Sequence, residues 1–179
     1  GEMVRKAALE RLNDERWFVV RNLIIMLESF GDQEVQRQVR RLVGHSHPRV
    51  RKEALKYLLH YQDPMVDIQL LQDLDSNDPA RKLSAIQIAE MSSNPEVLHK
   101  LLAILDSGSI TGYGLEIKSA VIQALAGIGN AQAVPKLKEI LYSGKFLHSG
   151  KHTQLKIMII RSLPRFPAAM VRPLLEEIC

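Results

Sequence analysis

Cysteine is nearly absent from this sequence, which has Cys179 as its one thiol among 179 residues. A single cysteine excludes an internal disulfide and fits a reducing compartment, so we expect a cytoplasmic location. Aromatic residues make up only 5% of the chain, which suits close packing of helices by Leu, Ile, Val and Ala. The first residues are charged and amphipathic rather than apolar, and they predict no signal peptide.

Long apolar runs are also missing. The longest stretch without a charged residue is 119–135, and it is interrupted by Gln123, by a Gly129-Asn130 helix stop and by Gln132. A membrane-spanning helix needs roughly 20 apolar residues, so we predict no membrane contact. At 46% hydrophobic and 25% charged residues, the chain is expected to fold around a sizeable core.

Catalytic and metal-binding spacings are absent as well. No Ser/His/Asp or Cys/His arrangement has a recognisable spacing, and a cysteine at the last position is a poor nucleophile. His45 and His47 flank Ser46 and are the best candidates for holding a metal, but they lack a third ligand. We therefore predict a protein that is not an enzyme, with no cofactor and no metal site.

What the sequence does contain is an internal repeat. The segments that begin at Pro48 and Pro79 match position for position, so that Ala54 is equivalent to Ala85 and Asp63 to Asn94. Weaker copies lie upstream and, at longer spacings, downstream, where loops are inserted around 107–114 and 143–152. A period in this range is typical of an α-solenoid, whose units bury their apolar faces by stacking. The repeats cover roughly 14–44, 45–75, 76–106, 107–142 and 143–179.

Polar residues mark the predicted start of the second helix in successive units, where a side-chain oxygen can accept a hydrogen bond from a free backbone amide. These residues are Asp32, Asp63, Asn94 and Asn130. Pro64 and Pro95 follow as first helical residues. Gly31 and Gly129 precede two of the caps, and we expect both to adopt the left-handed conformation that ends a helix.

These helix start and stop residues, together with the repeat, predict an all-α, right-handed α-α superhelix of about five helical pairs plus an extra N-terminal helix, in a single domain over 1–179. Natural solenoid ends are usually capped by polar faces, so we expect the chain to be a fragment of a longer protein. The predicted helices are 2–12, then 16–30 with 33–43, 48–61 with 64–74, 79–92 with 95–105, 115–128 with 131–142, and 152–164 with 168–178.

These units resemble the HEAT repeats of bacterial proteins with PBS-lyase-type HEAT-like repeats. The resemblance is carried by the string from Arg16 to Asn22 and by Pro48, Val50, Arg51, Glu53, Ala54, Leu58, Asp63 and Pro64. It covers nearly the whole chain, but the motif residues specify packing, so they imply a fold and not an activity. In such proteins a repeated basic residue often pairs with acids of adjacent units, a place filled here by Arg21, Arg51, Lys82, Lys118 and Lys156.

Two classes of enzyme that share such repeats have motifs that this sequence lacks. HEAT-like DNA glycosylases need several aromatics and an acid at the damaged nucleotide, whereas this chain offers Trp17 followed by Arg21. HEAT-type iron hydroxylases use His-Glu dipeptides, and no histidine here is followed by Glu. Phycobilin lyases have related repeats, so a phycobilin-lyase-like enzyme or chaperone stays open as an alternative.

The preferred hypothesis is a non-enzymatic scaffold that binds a peptide or protein domain along a groove formed by the second helices. Side chains at equivalent positions of those helices are expected to line it. The candidates are Arg37, Arg41, Gln69, Asp73, His99, Lys100, Lys136 and Arg172.

Nucleic-acid binding is a second hypothesis. The formal net charge is +4, and the densest basic cluster consists of Arg37, Arg40, Arg41, Arg49, Arg51, Lys52 and Lys56. Such a cluster suits contacts to phosphate, but an ordinary solvated helix face is the preferred explanation. The acidic residues Asp67 and Asp73 on the next second helix are expected to interrupt the surface.

A third hypothesis concerns the inserted loops. Both open on a Leu-X-Ser-Gly sequence, at Ser107 and at Ser143, close to Lys118 and Lys156. Exposed backbone amides and these cations suggest an edge that binds an anionic segment. The alternative is that the loops are surface insertions whose apolar residues, Ile110, Phe146 and Leu147, fold back onto the core.

Overall fold

A computed structural model describes residues 1–107, 112–143 and 149–178. Over these residues the protein is helical without a strand, which confirms the all-α prediction. The predictions for Ile110, Phe146, Leu147 and Cys179 lie outside the described residues. The α-helices of the described ranges are α1 (Glu2–Glu10), α2 (Trp17–Leu27), α3 (Gln33–Arg41), α4 (Pro48–His60), α5 (Pro64–Leu74), α6 (Pro79–Ala89), α7 (Pro95–Asp106), α8 (Gly114–Ile128), α9 (Val134–Tyr142), α10 (Ser149–Ser162) and α11 (Ala168–Ile178).

The chain divides into two compact units. The first unit covers Gly1–Ser92 and contains α1 to α6, and the second covers Ser93–Cys179 and contains α7 to α11. The single domain over 1–179 stays a prediction. No helix within the described ranges is long and apolar enough to span a bilayer.

The core of the first unit forms where the first helices of successive repeats pack side by side. α2 contacts α4, and α4 contacts α6. Each contributes apolar residues three or four positions apart, the spacing that places side chains on one helix face. The largest fully buried side chains of these helices are Ile24, Leu27, Leu55, Leu58, Ile86 and Ile88. Burying a leucine or isoleucine side chain stabilises the fold by about 1.5–3 kcal/mol.

The predicted caps are confirmed. The Asp32 carboxylate accepts hydrogen bonds from the amides of Glu34 and Val35 at the start of α3. Asp63 accepts one from Met65 at the start of α5, and the remaining predicted caps, Asn94 and Asn130, accept from Glu96 and Gln132. Asn130 caps a short 3-10 turn, Ala131–Ala133, and for this reason α9 begins later than predicted, at Val134.

The two glycines before the caps act differently. Gly129 has φ +64° and ends α8 in the left-handed conformation, as predicted. The prediction for Gly31 is wrong, because its φ is not positive. Gly31 is required for space: a Cβ there would lie 2.1 Å from the Tyr61 ring. Tyr61 donates its hydroxyl to the Glu28 carbonyl at 2.5 Å, so this ring is held against the glycine.

The second unit has its own core and longer connections. α8 packs against both α7 and α10, and fully buried residues include Val121, Ile122 and Leu125 on α8 and Leu137 on α9. α10 leads into a 3-10 turn, Leu163–Arg165, before α11. The Gly129 position touches this turn, since a Cβ there would lie 3.3 Å from the Arg165 carbonyl oxygen.

Candidate functional site

An exposed surface of mixed character lies on the second helices of the first unit. α5 exposes Met65 at 55% and Ile68 at 52% of their full surface, one helical turn apart. Arg37 and Arg41 are exposed on α3. The last turn of α3 is joined to the first turn of α5 because Arg40 Nε lies 2.6 Å from the buried Asp63 carboxylate. We call these exposed residues, with Gln72, the α3–α5 face.

The repeat register explains which predicted residues belong to this face. Asp32 and Asp63 are equivalent caps of successive repeats, so Arg37 corresponds to Ile68 and Arg41 to Gln72. Asp73 was predicted as an exposed position, and this is wrong: it is 4% exposed. Its carboxylate accepts hydrogen bonds from Gln69 at 2.9 Å and from Arg81 at 2.6 Å, which ties α5 to α6.

The repeat spacing alone would have identified Ile68 as the exposed counterpart of Arg37, whatever its charge. The sequence prediction looked for acidic counterparts of the arginines and selected Asp67 and Asp73, each one position away from the exposed row. Asp67 is half-buried and accepts a hydrogen bond from the Ser92 hydroxyl at 3.2 Å. These acids therefore make contacts inside the first unit and do not lie in the exposed row.

Arginine side chains of preceding helices hold the acidic caps. Arg5 on α1 donates to both oxygens of Asp32, at 2.8 and 2.9 Å, and to Glu34 at 2.6 Å. The hydrogen bond from Arg5 is the main cause that lowers the pKa of Asp32 to about 2. In the next repeat, Arg40 Nε donates one hydrogen bond to the Asp63 carboxylate at 2.6 Å. These two arginines are structural joints between repeats.

Most of the predicted basic cluster is likewise committed to contacts within the first unit. Arg51 donates to the carbonyls of His45 and Ser46, both at 2.8 Å. Lys52 donates to Gln87 on α6 at 2.7 Å, and burial is the largest cause that lowers the pKa of Lys52. Lys56 lies 3.5 Å from Glu53. Nucleic-acid binding stays a prediction. Because of these contacts, the basic residues available to bind phosphate are mainly Arg37 and Arg41.

Trp17 lies at the surface of the first unit in a stack of three side chains. The His47 ring is parallel to the indole at 4.0 Å, and the Arg49 guanidinium lies 5.2 Å from the indole centroid. His47 Nδ1 accepts a hydrogen bond from the Arg49 amide and caps α4. Burial, followed by the charge of Arg49, lowers the pKa of His47. The neutral imidazole is therefore the form that this stack favours.

The metal hypothesis for His45 and His47 gains no third ligand. His45 Nδ1 accepts from the His47 amide at 3.0 Å, so both imidazoles use one nitrogen in backbone hydrogen bonds. Among the residues that the structure describes, no three His, Cys, Asp or Glu side chains are grouped as a metal site would require.

The predicted anion-binding edge of the second unit consists of helix ends. Lys118 donates to the Leu105 carbonyl at 2.7 Å, and Lys156 donates to the Ser143 carbonyl at 3.1 Å. The hydroxyls of Ser107 and Ser143 donate to carbonyls three residues back. Carbonyl ends of helices carry partial negative charge and attract cations. Lys118 and Lys156 therefore stabilise helix C-termini here. Anion binding at this edge stays a prediction that the geometry does not favour.

The remaining predicted contact residues lie in the second unit. His99 on α7 is exposed and corresponds to Ile68 one repeat later, while Lys100 is half-buried. Lys136 on α9 is ion-paired with Asp106 and with Glu139, and hydrogen bonds to these acids raise its pKa. Arg172 on α11 is exposed.

Arg172 lies at the edge of an apolar cleft that sequence reasoning missed. The cleft, here named the α11 cleft, has a volume of about 420 Å³. It is formed by the 3-10 turn before α11 and by one side of α11, with Glu176 also at its edge. The apolar residues that line it are Leu163, Pro164, Phe166, Ala168, Val171 and Leu175. Their spacing of three and four along α11 was visible, but whether a neighbour covers them depends on the folded structure.

Comparisons with known proteins agree with this architecture. Residues 5–90, almost the whole first unit, match the family model described as HEAT repeats. Residues 5–90 are HEAT repeats. The predicted family and the helical-repeat fold class are thereby confirmed. No curated protein matches the sequence at a significant level.

The HEAT-repeat chain is also similar to a solved structure. This is a chain from the complex of CpcE and CpcF of phycocyanin lyase from Nostoc sp. PCC7120, with a TM-score of 0.56 and 16% sequence identity. The match covers 88% of the present chain and 65% of the Nostoc chain. At this identity the likeness shows the fold alone.

Proposed function

We propose that this HEAT-repeat protein is a non-enzymatic scaffold that binds a protein or peptide partner on the α3–α5 face. The observation that supports it is the pair Met65 and Ile68, both more than half exposed on α5, together with Arg37 and Arg41, which are exposed on the preceding second helix, α3. Methionine and arginine are enriched where proteins meet, and methionine adapts to irregular partner surfaces. Single exposed apolar residues are common, but a group of them flanked by charge is typical of an interaction site.

The chemistry of the face selects the partner. Arg37 and Arg41 supply positive charge, whereas the nearby acid Glu34 is bound by Arg5. A partner that presents apolar side chains together with carboxylates would match both features. The apolar contact contributes the affinity, and the arginines fix the orientation and raise the association rate.

Photo-crosslinking tests the proposal. A benzophenone amino acid at position 68 is expected to give a discrete adduct with the partner in cells, whereas the same group at Ala80, an exposed position on α6, gives none. Arg37→Glu combined with Arg41→Glu should reduce the adduct at position 68 by about tenfold, the effect of roughly 1.4 kcal/mol. Equal adducts at both positions, or none at position 68, would contradict the proposal.

A phycobilin-lyase-like enzyme or chaperone is the second candidate, supported by the likeness to the phycocyanin lyase chain. Incubation with a free bilin, followed by size-exclusion chromatography with detection in the visible range, tests it. Bilin that co-elutes with the protein and is then transferred to an acceptor protein would replace the scaffold proposal. Bilin that elutes entirely as free pigment would remove the candidate.

A further inference from the structure

We propose that copies of this chain associate through two unlike faces, with α10 of one copy packed on α2 of a second copy as first helices pack on one another within the first unit. The inference goes beyond the scaffold function and uses helices other than those of the α3–α5 face. It rests on two exposed apolar faces that occupy complementary positions of the repeat.

Contacts between first helices define two sides of such a helix. Arg21 of α2 lies 3.2 Å from Glu53 of α4, and Lys52 of α4 donates to Gln87 of α6 at 2.7 Å. Arg21 and Lys52 are equivalent residues in the register set by the caps. We call the side of a first helix that carries them its front, and the side that carries Glu53 or Gln87 its rear. Within the first unit, the front of one first helix packs on the rear of the following one.

The rear of α2 is exposed and apolar. Met26 on α2 is 51% exposed, whereas its equivalents Tyr57 on α4 and Ile88 on α6 are at most 3% exposed. Tyr57 lies one turn after Glu53 on the rear of α4, and its hydroxyl donates to the carbonyl of Phe30, just after α2. In α4 and α6 this position is therefore covered by the preceding first helix, and in α2 it is open.

A large apolar residue of α10 is exposed although its counterpart is buried. Lys118 on α8 and Lys156 on α10 each donate to the carbonyl thirteen residues back, which fixes the register between the two helices. Ile160 is thus equivalent to Ile122, four residues after the lysine in each case. Ile122 is fully buried, whereas Ile160 is 40% exposed.

The position of Ile160 belongs to the front of a first helix. Counted back from the caps, Ile122 corresponds to Leu55 of α4, which lies three residues after Lys52. Residues three apart share a helix face, so Leu55 lies on the front of α4, where it is buried and where α6 contacts α4. Ile160 therefore lies where the first helix of a following repeat packs.

The two exposed faces match at the positions that pair within the first unit. The contact between Lys52 and Gln87 corresponds, between copies, to Ile157 on α10 with Ile25 on α2, and both isoleucines are exposed. A polar pair inside the chain thus becomes an apolar pair between copies. A helix with a lysine at this position would bury its charge against Ile25 without a partner, which favours α10 of a second copy. Each copy carries one face of each kind, so the association is heterologous.

Sedimentation velocity of the full chain at increasing concentration tests the association. We expect the mean mass to exceed that of a monomer and to rise with concentration. Met26→Asp and Ile160→Asp should each weaken self-association by more than about tenfold, because the new carboxylate would be buried in the contact without a partner. Met65→Asp places the same charge at an exposed position on α5 and should leave the mass unchanged.

A mixture of the two variants tests the pairing of unlike faces. Met26→Asp retains the front of α10, and Ile160→Asp retains the rear of α2. An equimolar mixture is therefore expected to form a dimer with one copy of each variant and nothing larger. A misfolded variant would not complement the other, so the mixture separates loss of a face from loss of the fold.

Four results would overturn the inference. One is a chain that stays monomeric at high concentration, and another is self-association of Met26→Asp or Ile160→Asp alone, which would mean that like faces pair. The third is a mixture that stays monomeric, and the fourth is loss of association in Met65→Asp. The crosslink at position 68 tests the scaffold function separately, since neither Met26→Asp nor Ile160→Asp changes the α3–α5 face.

Discussion

The two units differ in the residues that cap their second helices. In the first unit, the caps Asp32 and Asp63 are carboxylates, and arginines of preceding helices bind them, Arg5 at Asp32 and Arg40 at Asp63. In the second unit, the caps Asn94 and Asn130 are neutral amides. A charged cap can tie its helix to a preceding one through an arginine, whereas an amide cap carries no charge for an ion pair. The family model matches the regular unit, 5–90.

The stability of each unit can be followed separately, because the one tryptophan of the chain, Trp17, lies in the first unit. Its fluorescence reports unfolding of that unit, and hydrogen exchange of peptides from α8 and α10 reports the second. Variants that are expected to act on one unit can thus be compared with variants that act on the other.

The largest effect is expected from Gly31→Ala. The new methyl group would overlap the Tyr61 ring, at 2.1 Å, and displacing that ring costs about 3 kcal/mol by analogy with overpacked cores. Urea unfolding followed by Trp17 fluorescence measures the loss. Gly44→Ala is the control, since a Cβ there has nothing within 4 Å. Similar unfolding midpoints for the two variants would show that space at Gly31 is not limiting.

Caps of the two units should differ in strength. Asp63→Ala removes a cap and leaves Arg40 without its buried partner, so we expect a loss of about 2–3 kcal/mol. Asn94→Ala, at the equivalent position of α7, removes a neutral cap and should cost about 1 kcal/mol. Asp63→Asn keeps an acceptor oxygen and is expected to fall between them. The comparison is made by thermal denaturation at constant pH, and equal losses would contradict a special role for the ion pair.

The pH dependence of the first unit should reflect His47. Its folded pKa is lowered from 6.5, so the folded state binds fewer protons than the unfolded state. The stability that the neutral ring contributes is complete above about pH 6.5 and is lost as the pH falls through the folded pKa. His47→Asn retains a cap without titrating and should flatten the stability profile from pH 7.5 to 5. If His47→Asn leaves the stability profile unchanged, groups other than His47 cause the pH dependence.

The smallest effects separate the joints by their response to salt. Arg21→Met removes the 3.2 Å contact with Glu53 and should cost less than about 1 kcal/mol, decreasing as salt screens the pair. Lys156→Met removes a donor to the Ser143 carbonyl, and its cost of about 1 kcal/mol should change little with salt. Chemical denaturation with urea at two NaCl concentrations measures both. A larger salt response for Lys156→Met would reverse the assignment.

Much of the fold could be predicted from local chemistry. Asp32, Asp63, Asn94 and Asn130 were predicted as caps because such a residue acts on amides two or three positions away. The left-handed conformation of Gly129 was also predicted from local sequence, because a glycine just before a cap commonly ends the preceding helix. Gly31 was not, because its need for space arises from Tyr61 in the following repeat, whose ring position no local pattern contains.

Exposure was predicted less well than the caps, for two physical reasons. A charged residue need not be exposed: Asp73 is buried because Arg81 and Gln69 bind its carboxylate. An apolar residue need not be buried, as Met65, Ile68 and Leu175 show. Exposure is a property of packing, and a helical pattern indicates which residues share a face without saying whether another helix covers it.

The arginine joints also bear on how such a chain can lengthen. Residues 32–62 begin with an acid that receives Arg5 and contain Arg40, which reaches the acid that begins the next repeat. This segment therefore carries both complementary halves of its own connection. A tandem duplicate of it would meet an arginine before it and an aspartate after it. The arginine–aspartate connection itself would need no compensating substitution at either boundary.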